Sequence, residues 1–425
     1  MDRSGYCRAE GRVKGLSKVA DAKLATAGER NFLWAKAHMK ALTALAEKYA
    51  KSRPLEGVKL GVCLHVTKET AVLVDALLMA GADVKLAGAN PLSTQDDVAA
   101  YLSTRTDVWA WRGESNKEYA WAIEQVVATH PDQIIDDGAD LHVASLTSDA
   151  KNIVGGSEET TTGVVRLKAL EAEGKLTYPV IAVNDAKTKF MFDNRYGTGQ
   201  STLDGIMRAT ALLLAGVKTV VVGYGWVGKG VSMRARGMGA NVTVIEVDPI
   251  RALEAHLDGF EVSNIENAAA RGELFITTTG QKNVIPYGAI EKMKEGAILA
   301  NAGHFDVEID VGTLMAKAKG VKEVRPNVDE ISLPSGRRVY LIAKGRIANL
   351  VAAEGHPPEV MQMSFANQML AAIRIHRDHP KMEKRVYGVP AEIEDEVARA
   401  ALDSMGVSIG EQTKEQRDYA KSWKT

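Results

Sequence analysis

Residues 217–230 read VKTVVVGYGWVGKG, and this stretch decides the fold. Four valines in six residues make a strand pattern. Gly223, Gly225 and Gly228 then space out as GxGxxG ahead of a helical run, VSMRARGMGA. The first glycine permits a tight turn, the second lets the backbone approach a pyrophosphate, and the third lets helix and strand pack closely. Trp226 and Val227 open the helix, whose unpaired N–H groups can face phosphates. NVTVIEVD (241–248) is the next strand, and Glu246 near its end lies 23 residues after Gly223. A carboxylate there accepts from both hydroxyls of an adenosine ribose and repels a 2′-phosphate, so the pattern predicts NAD rather than NADP. Alone, GxGxxG is a weak signal. The competing readings are a glycine turn that binds nothing and a site for another adenosine ligand such as S-adenosylmethionine; the strand context and Glu246 favour the dinucleotide. Arg251, five residues beyond Glu246, could reach the adenine edge or a phosphate, but a solvated helix face is the commoner fate of such a residue.

Working outward, strand and helix patterns alternate. RNFLWAKAHMKALTALAEKYAK (30–51) has helical apolar spacing and predicts one amphipathic helix. GVKLGVCLHV is a short apolar strand, and ETAVLVDALLMAG is a helix ended by Gly81. ADVKLAG, DVWAWRG and QIIDDGADL read as further strands, the last ending in carboxylates. Such alternation predicts a parallel α/β sheet, with ligands beyond the carboxyl ends of the strands. His65, Asn90 and Asp137 fall at such ends. After residue 217 a second α/β unit continues through GELFITTTG and GAILANAGHFD. Near residue 350 the chain leaves it for a helical run, SFANQMLAAIRIHRD, and ends in a charged helix or arm.

The chain's 425 residues exceed what one core usually organises, so two or three domains are expected. A net charge of −1 gives no electrostatic case for nucleic acid or an anionic membrane. Cys7 and Cys63 cannot build a disulfide framework, which fits a reducing compartment. MDRSGYCRAEGRVKG lacks the apolar core of a leader peptide, and no apolar run approaches the ~18 residues that span a bilayer. The expectation is a cytoplasmic protein, and no metal site is assigned.

NDAKTKFMFDNRYGTGQS (184–201) is the chemically oddest segment, with three Lys/Arg, two Asp and two Asn in eighteen residues. It precedes the glycine turn. Lys189 and Asp193 lie four apart and share a face if the segment is helical; as a surface ion pair they would be commonplace and weakly stabilising.

Taken together, LHVTKETAVL (64–73), NPLSTQDDVAAYL (90–102), DDGADL (136–141), SEETTTGV (157–164), the segment 184–201, GYGWVGKG (223–230), NAGHFDVEID (301–310) and EGHPPEVM (354–361) resemble the S-adenosylhomocysteine hydrolase family. The likeness runs in order from about residue 20 to residue 420 and is closest to a prokaryotic type with a short tail. It implies reversible cleavage of S-adenosylhomocysteine to adenosine and homocysteine. Bound NAD oxidises the ribose 3′-hydroxyl to a ketone, which acidifies the 4′ proton. Homocysteine then leaves by elimination, water adds, and the ketone is reduced again.

The resemblance also implies residue roles. Lys189 and Asp193 would hold the ribose hydroxyls, and Lys189 would take or steer the 3′-hydroxyl proton, which calls for a lysine of lowered pKa. Asn194 would lie near the nicotinamide. Asp137 would be the base for the 4′ proton, where an Asp at a strand end is otherwise usually a cap. His65 and His304 would flank the 5′ carbon. Glu159 would bind a substrate hydroxyl. Thr160, Thr161, Thr162, Ala302, Gly303 and Asn349 would contact the cofactor. His356 would sit near the cofactor or at a gate between domains. Thr67 and Glu69 would read adenine, whose amino group suits an acceptor; a helix cap is a nearly equal reading of Glu69. Three positions depart from the family. Thr198 stands where many relatives have Cys, Arg251 where many have Asn, and the tail ends at KEQRDYAKSWKT.

The resulting architecture is α/β with two doubly wound parallel-sheet domains. A Rossmann-type NAD domain (199–350) is inserted into a substrate domain (1–184 and 356–398). Hinges lie at 185–198 and 351–357, with a helical arm at 399–425. The likeness implies a homo-oligomer, a tetramer, acting on small molecules. The rival readings are an S-inosylhomocysteine hydrolase, a conventional NAD-dependent dehydrogenase that releases NADH, and a non-catalytic relative. The last should have lost Lys189, Asp193, Asp137, His65 or His304, and it retains them all.

Overall fold

A computed structural model describes residues 17–148 and 152–423. Residues 1–16, which include Cys7 and the stretch read as lacking a leader core, lie outside the described residues, as do 149–151 and 424–425. Two sheets organise the chain. The first contains β1 (Lys59–Leu64), β2 (Asp83–Gly88), β3 (Asp107–Trp109), β4 (Gln133–Asp136), β5 (Gly155–Glu158) and β6 (Val180–Ala182). The second contains β7 (Lys218–Val222), β8 (Asn241–Ile245), β9 (Glu261–Ser263), β10 (Leu274–Thr277), β11 (Ala297–Asn301), β12 (Gly320–Arg325), β13 (Val328–Ser332) and β14 (Arg338–Ile342). The chain then returns, and β15 (Val386–Gly388) joins the first sheet beside β6.

Strand order in the first sheet is β15-β6-β5-β4-β1-β2-β3, and every pairing is parallel. β1 is buried from Leu60 to Leu64, as expected of a strand covered on both faces. The second sheet runs β12-β13-β14-β11-β10-β7-β8-β9. It is parallel from β14 to β9, but β13 pairs antiparallel with both β12 and β14. The sheet is thus parallel-dominated with an antiparallel edge, where short turns at 326–327 and 333–337 allow hairpins without a crossover helix.

The single helix expected over 30–51 is two, Ala25–His38 and Lys40–Ala50. Met39 between them has φ −105° and ψ 50°, outside the helical region, and its side chain is fully buried. Apolar periodicity runs across the break because both helices bury against one core. The run SFANQMLAAIRIHRD belongs to a helix over Pro358–Asp378. Met363, Phe365, Ala366, Met369 and Leu370 share a core with Leu60, Val62 and Leu64 of β1. Each large apolar side chain so buried contributes roughly 1.5–3 kcal/mol, which holds the returning segment on the first sheet. The final helix, Lys414–Lys421, is exposed throughout. Among the described residues no helix is long and apolar enough to cross a membrane.

Candidate active site

The carboxyl ends of strands from both sheets open on one cleft of about 870 Å³. From the first sheet come His65 after β1, Asp137 after β4 and Glu159 after β5; from the second come Gly223, Glu246, Thr278 and Ala302. Asn90, also expected at a strand end, accepts from Leu92 N in a local turn and does not line the cleft.

The glycine turn follows local rules. Gly223 has φ +104°, open to glycine and strained for other residues. A Cβ on Gly228 would strike Gly223 O, so helix and strand touch there, and Gly228 itself is not on the cleft wall. A Cβ on Gly225 would meet only Arg251 Nη1, at 3.9 Å, so the backbone is bare on that side. Glu246 accepts Tyr224 N at 2.7 Å, Val247 N at 2.7 Å and Asp248 N at 3.0 Å, which fixes its carboxylate at the strand end. Arg251 lines the cleft. Trp226 packs on Phe190 with ring centroids 5.1 Å apart and planes tilted by 36°, joining the glycine turn to the segment 184–201.

That segment is helical over Lys187–Phe190 and then opens into a wide turn over Asp193–Gly197, where Gly197 N donates to Phe192 O five residues back. Such widened turns recur at functional sites. The arrangement turns Lys189 and Asp193 together, Nζ to Oδ2 at 3.4 Å, both nearly sealed from solvent. Lys189 Nζ also donates to Asn194 Oδ1 at 2.8 Å and lies 3.6 Å from Glu159 Oε1. Asn194 in turn donates to Asn184 Oδ1 at 3.4 Å. Asp193 accepts from Ser364 Oγ at 2.8 Å and pairs with His356 Nδ1 at 2.8 Å. His356 Nε2 lies 3.1 Å from Thr198 Oγ1, so the hydroxyl at the departed Cys position contacts the imidazole. Gln368 donates to Glu159 Oε2 at 2.6 Å.

The charges are interlocked. Burial alone would lower the Lys189 pKa, but Asp193, then Glu159 and Asp137, outweigh it and hold the ammonium above its ordinary value. This corrects the expectation of a lysine of lowered pKa: a carboxylate 3.4 Å away in a dry site favours the charged form. Burial works against the Asp193 anion too, yet Lys189 and His356 keep it well below the usual carboxylate range. Burial pushes Glu159 up to about 8.

Asp137 lies between two imidazoles, His65 Nε2 at 3.7 Å and His304 Nδ1 at 3.5 Å, whose ring centroids are 5.4 Å apart. Burial lowers His65 to about 4, and its Nδ1 meets Ser93 Oγ at 2.7 Å. Ligand atoms of His65, Asp137 and His304 fall within 4.8 Å of one another, a donor set that a divalent ion could use, although the sequence carries no metal signature. A second such cluster, Asp136, His142 and Glu158, is fully buried. Asp136 accepts Asp137 N and His142 N, and Glu158 accepts Gly138 N and Thr160 N, so these carboxylates pin the loops that carry Asp137 and Glu159.

Thr67, Glu69, Thr160, Thr161, Thr162, Asn194, Ala302, Gly303, His304 and His356 all line the cleft. Glu69 Oε1 is buried with only an ion-pair contact to Lys68 Nζ at 3.3 Å, and Thr162 Oγ1 is buried without a hydrogen-bond partner. Asn349, like Gly228, does not line the cleft: it is fully buried and donates to Ser201 Oγ at 3.1 Å, and its neighbours Ile347 and Leu350 reach the cleft instead. Sequence reading missed Phe190, Asn301 and Glu308. Asn301 Nδ2 donates to three carbonyls, those of Gly303, Phe305 and Gly345, and so shapes the loop before His304. Glu308 accepts Thr279 N and Gly280 N. Both lie inside the quoted NAGHFDVEID, the only signal that pointed to them.

A family profile described as S-adenosyl-L-homocysteine hydrolase matches residues 17–148, and one described as the NAD binding domain of that enzyme matches residues 194–355. This chain is 56% identical over 411 residues to an adenosylhomocysteinase of Aeropyrum pernix, covering 96% of this chain and 99% of that protein. It is 53% identical over 412 residues to an adenosylhomocysteinase of Saccharolobus solfataricus, with the same coverage. An S-inosyl-L-homocysteine hydrolase of Methanocaldococcus jannaschii is 52% identical over 413 residues, again covering 96% and 99%.

Proposed function

Because this chain belongs to the S-adenosyl-L-homocysteine hydrolase family, we infer that it cleaves S-adenosyl-L-homocysteine reversibly to adenosine and L-homocysteine, with NAD as cofactor. The observation that carries the reading is that one cleft holds both a dinucleotide turn and a buried Lys–Asp–His cluster suited to a sugar. The residues fit NAD: the bare backbone at Gly225, the helix N-terminus at Trp226 and the fixed carboxylate of Glu246 would hold its adenosine half, and Thr162 Oγ1, buried on the cleft wall without a partner, would meet its far end. When bound, NAD supplies reversible oxidation at the ribose 3′ carbon.

The protein's own groups bind, orient and move protons. Asp193 and Glu159 offer oxygens to the ribose hydroxyls. Lys189, held as an ammonium, stabilises negative charge that develops on the 3′ oxygen. It steers the hydroxyl proton into the cluster it forms with Asp193 and His356. Asp137 takes the 4′ proton, and the adjacent imidazoles of His65 and His304 hand it to the departing homocysteine sulfur. The same three groups run in reverse when water adds. Segments 185–198 and 351–357 act as hinges between a substrate domain (1–184, 356–398) and a cofactor domain (199–350), and their closure excludes water from the ketone. Exposed Ile409, Tyr419 and Trp423 on the arm at 399–425 support a homo-oligomer, a tetramer by family likeness. A cytoplasmic setting accords with Cys63, buried and without a disulfide among the described residues.

Glu69, a buried carboxylate in the cleft, accepts from the adenine amino group and favours adenosine over inosine. Incubation of the purified protein with adenosine and homocysteine should yield the condensed thioether by mass, without steady growth of absorbance at 340 nm. Absence of the thioether after NAD is resupplied overturns the reading, and steady absorbance growth would favour a dehydrogenase. Preferred condensation of inosine would move the assignment to the S-inosyl activity.

A further inference from the structure

Glu69 is not alone behind the cleft wall. Its Oε1 lies 3.3 Å from Lys68 Nζ, and both side chains are almost wholly buried. Lys68 does not line the cleft. Its Nζ also reaches Glu354 Oε2 at 3.1 Å, on the segment where the chain crosses back from the second sheet to the first. Glu354 is held from both sides: Gln95 Nε2 donates to its carbonyl at 3.3 Å, and Arg208 Nη1 lies 3.6 Å from its Oε1. Gln95 closes the loop by accepting Lys68 N at 3.1 Å. A buried lysine thus stands between a cleft carboxylate and an acid on the crossover segment.

We propose that Lys68 is a positioning residue that sets the purine preference: its ammonium keeps Glu69 an anionic acceptor, suited to a 6-amino purine, and Glu354 anchors Lys68 in that place. The inference rests on the reading that Glu69 faces the base. An anionic Glu69 accepts the amino N–H of adenine but opposes the 6-oxo group of hypoxanthine with a second acceptor, which costs binding when both are buried. Burial holds Glu69 above its ordinary value, and Lys68, 3.3 Å away, is the chief group limiting that rise. Loss of the ammonium shifts Glu69 toward its protonated form, which is a donor and the complement of an oxo group.

The experiment measures kcat/KM for condensation of homocysteine with adenosine and with inosine, each variant normalised to its bound NAD. Lys68→Met should lower the adenosine-to-inosine ratio at least about tenfold, the scale of one mismatched buried hydrogen-bond pair. Lys68→Arg should restore the ratio to within about threefold of the parent, and Glu354→Gln should lower it about threefold by loosening the anchor. Equal losses for both nucleosides in Lys68→Met, leaving the ratio within about twofold, would overturn the proposal, because a merely structural lysine moves both alike. If Lys68→Met does not fold, the exposed Glu354→Gln decides, and an unchanged ratio there is the overturning result. Glu69→Gln separates the two layers. A ratio it does not move refutes the reading of Glu69 itself, whereas a ratio moved by Glu69→Gln but not by Lys68→Met refutes only the role of Lys68.

Discussion

Replacing Asp193 by Asn tests the electrostatic core of the site. In the parent, Lys189 Nζ lies 3.4 Å from Asp193 Oδ2 in a nearly dry environment. The other nearby carboxylate, Glu159 at 3.6 Å, is disfavoured as an anion by burial, so Asp193 is the chief counter-charge of the ammonium. Asp193→Asn therefore leaves a buried ammonium without its anion, a defect that costs about 3–5 kcal/mol. Lysine can escape by shedding its proton, which at pH 7.5 costs roughly 4 kcal/mol from its ordinary pKa of 10.5. The two routes agree, and the expected loss is about 3–4 kcal/mol. Adding Lys189→Met removes the stranded charge and should bring stability back to within about 1.5 kcal/mol of the parent, a recovery of about 2 kcal/mol over Asp193→Asn alone. Urea unfolding of the four proteins of the cycle reads both numbers. The sign of the pH dependence is also fixed. Asp193 is held below its ordinary 3.8, so its contribution is complete above 3.8 and fades as pH falls through the lower folded value. Lys189 is held above 10.5, so its contribution is complete below 10.5 and fades as pH climbs past the raised folded value. A single variant as stable as the parent, or a double variant no better than the single, would refute the buried pair.

Three further outcomes follow from the geometry. Gly228→Ala places a methyl against Gly223 O, and overpacking of this kind should cost about 1–3 kcal/mol and empty the protein of NAD, read by denaturant unfolding and by NAD content after purification. Glu246→Gln removes the charge that repels a 2′-phosphate, so discrimination between NAD and NADP in reconstitution assays should narrow at least about tenfold; unchanged discrimination would separate Glu246 from the cofactor. Burial lowers His142 to about 4, below its ordinary 6.5, so its contribution is complete above 6.5 and lost as pH falls toward 4. His142→Asn should accordingly lose less melting temperature than the parent between pH 6.5 and 4, and an equal loss would place the acid sensitivity elsewhere.

What the sequence made legible was local. The strand, glycine turn and helix at 217–237 and the acid at 246 obey short-range rules of conformation and charge, and they fold as those rules require. What it hid depends on partners far along the chain. Apolar spacing across 30–51 is continuous, so nothing local marks the break at Met39; packing of both helices on one core imposes it. A lysine beside an aspartate four residues on looks like any surface pair. Its burial comes from Ser364 and His356, more than 160 residues later, and with burial the sign of its pKa shift becomes a contest that spacing cannot decide. Lys68 was invisible for the same reason, since its partner Glu354 lies 286 residues away.

The mixture of cations, carboxylates and amides in 184–201 acquires a physical reason from one contact. A Cβ on Gly230, in the helix that follows the dinucleotide turn, would strike the carbonyl of Arg195, and a Cβ on Gly199 would meet the backbone of Gly230. Three stretches of backbone therefore touch where side chains are missing, and the segment carrying Lys189 and Asp193 lies against the helix that begins at Trp226. Phe190 on Trp226 adds a second joint on the cleft side. A ring contact alone would leave the two stretches free to slide, because aromatic contacts tolerate wide geometry. Close backbone contact does not, because even a methyl has no room. The charged groups that would meet a sugar are thus set at a fixed distance from the turn that would meet the dinucleotide. Proton transfer at the ribose demands that constraint, since it depends on groups held within hydrogen-bond reach of one carbon. The glycines at 199 and 230, unremarkable in a sequence with 38 of them, are where that constraint is enforced.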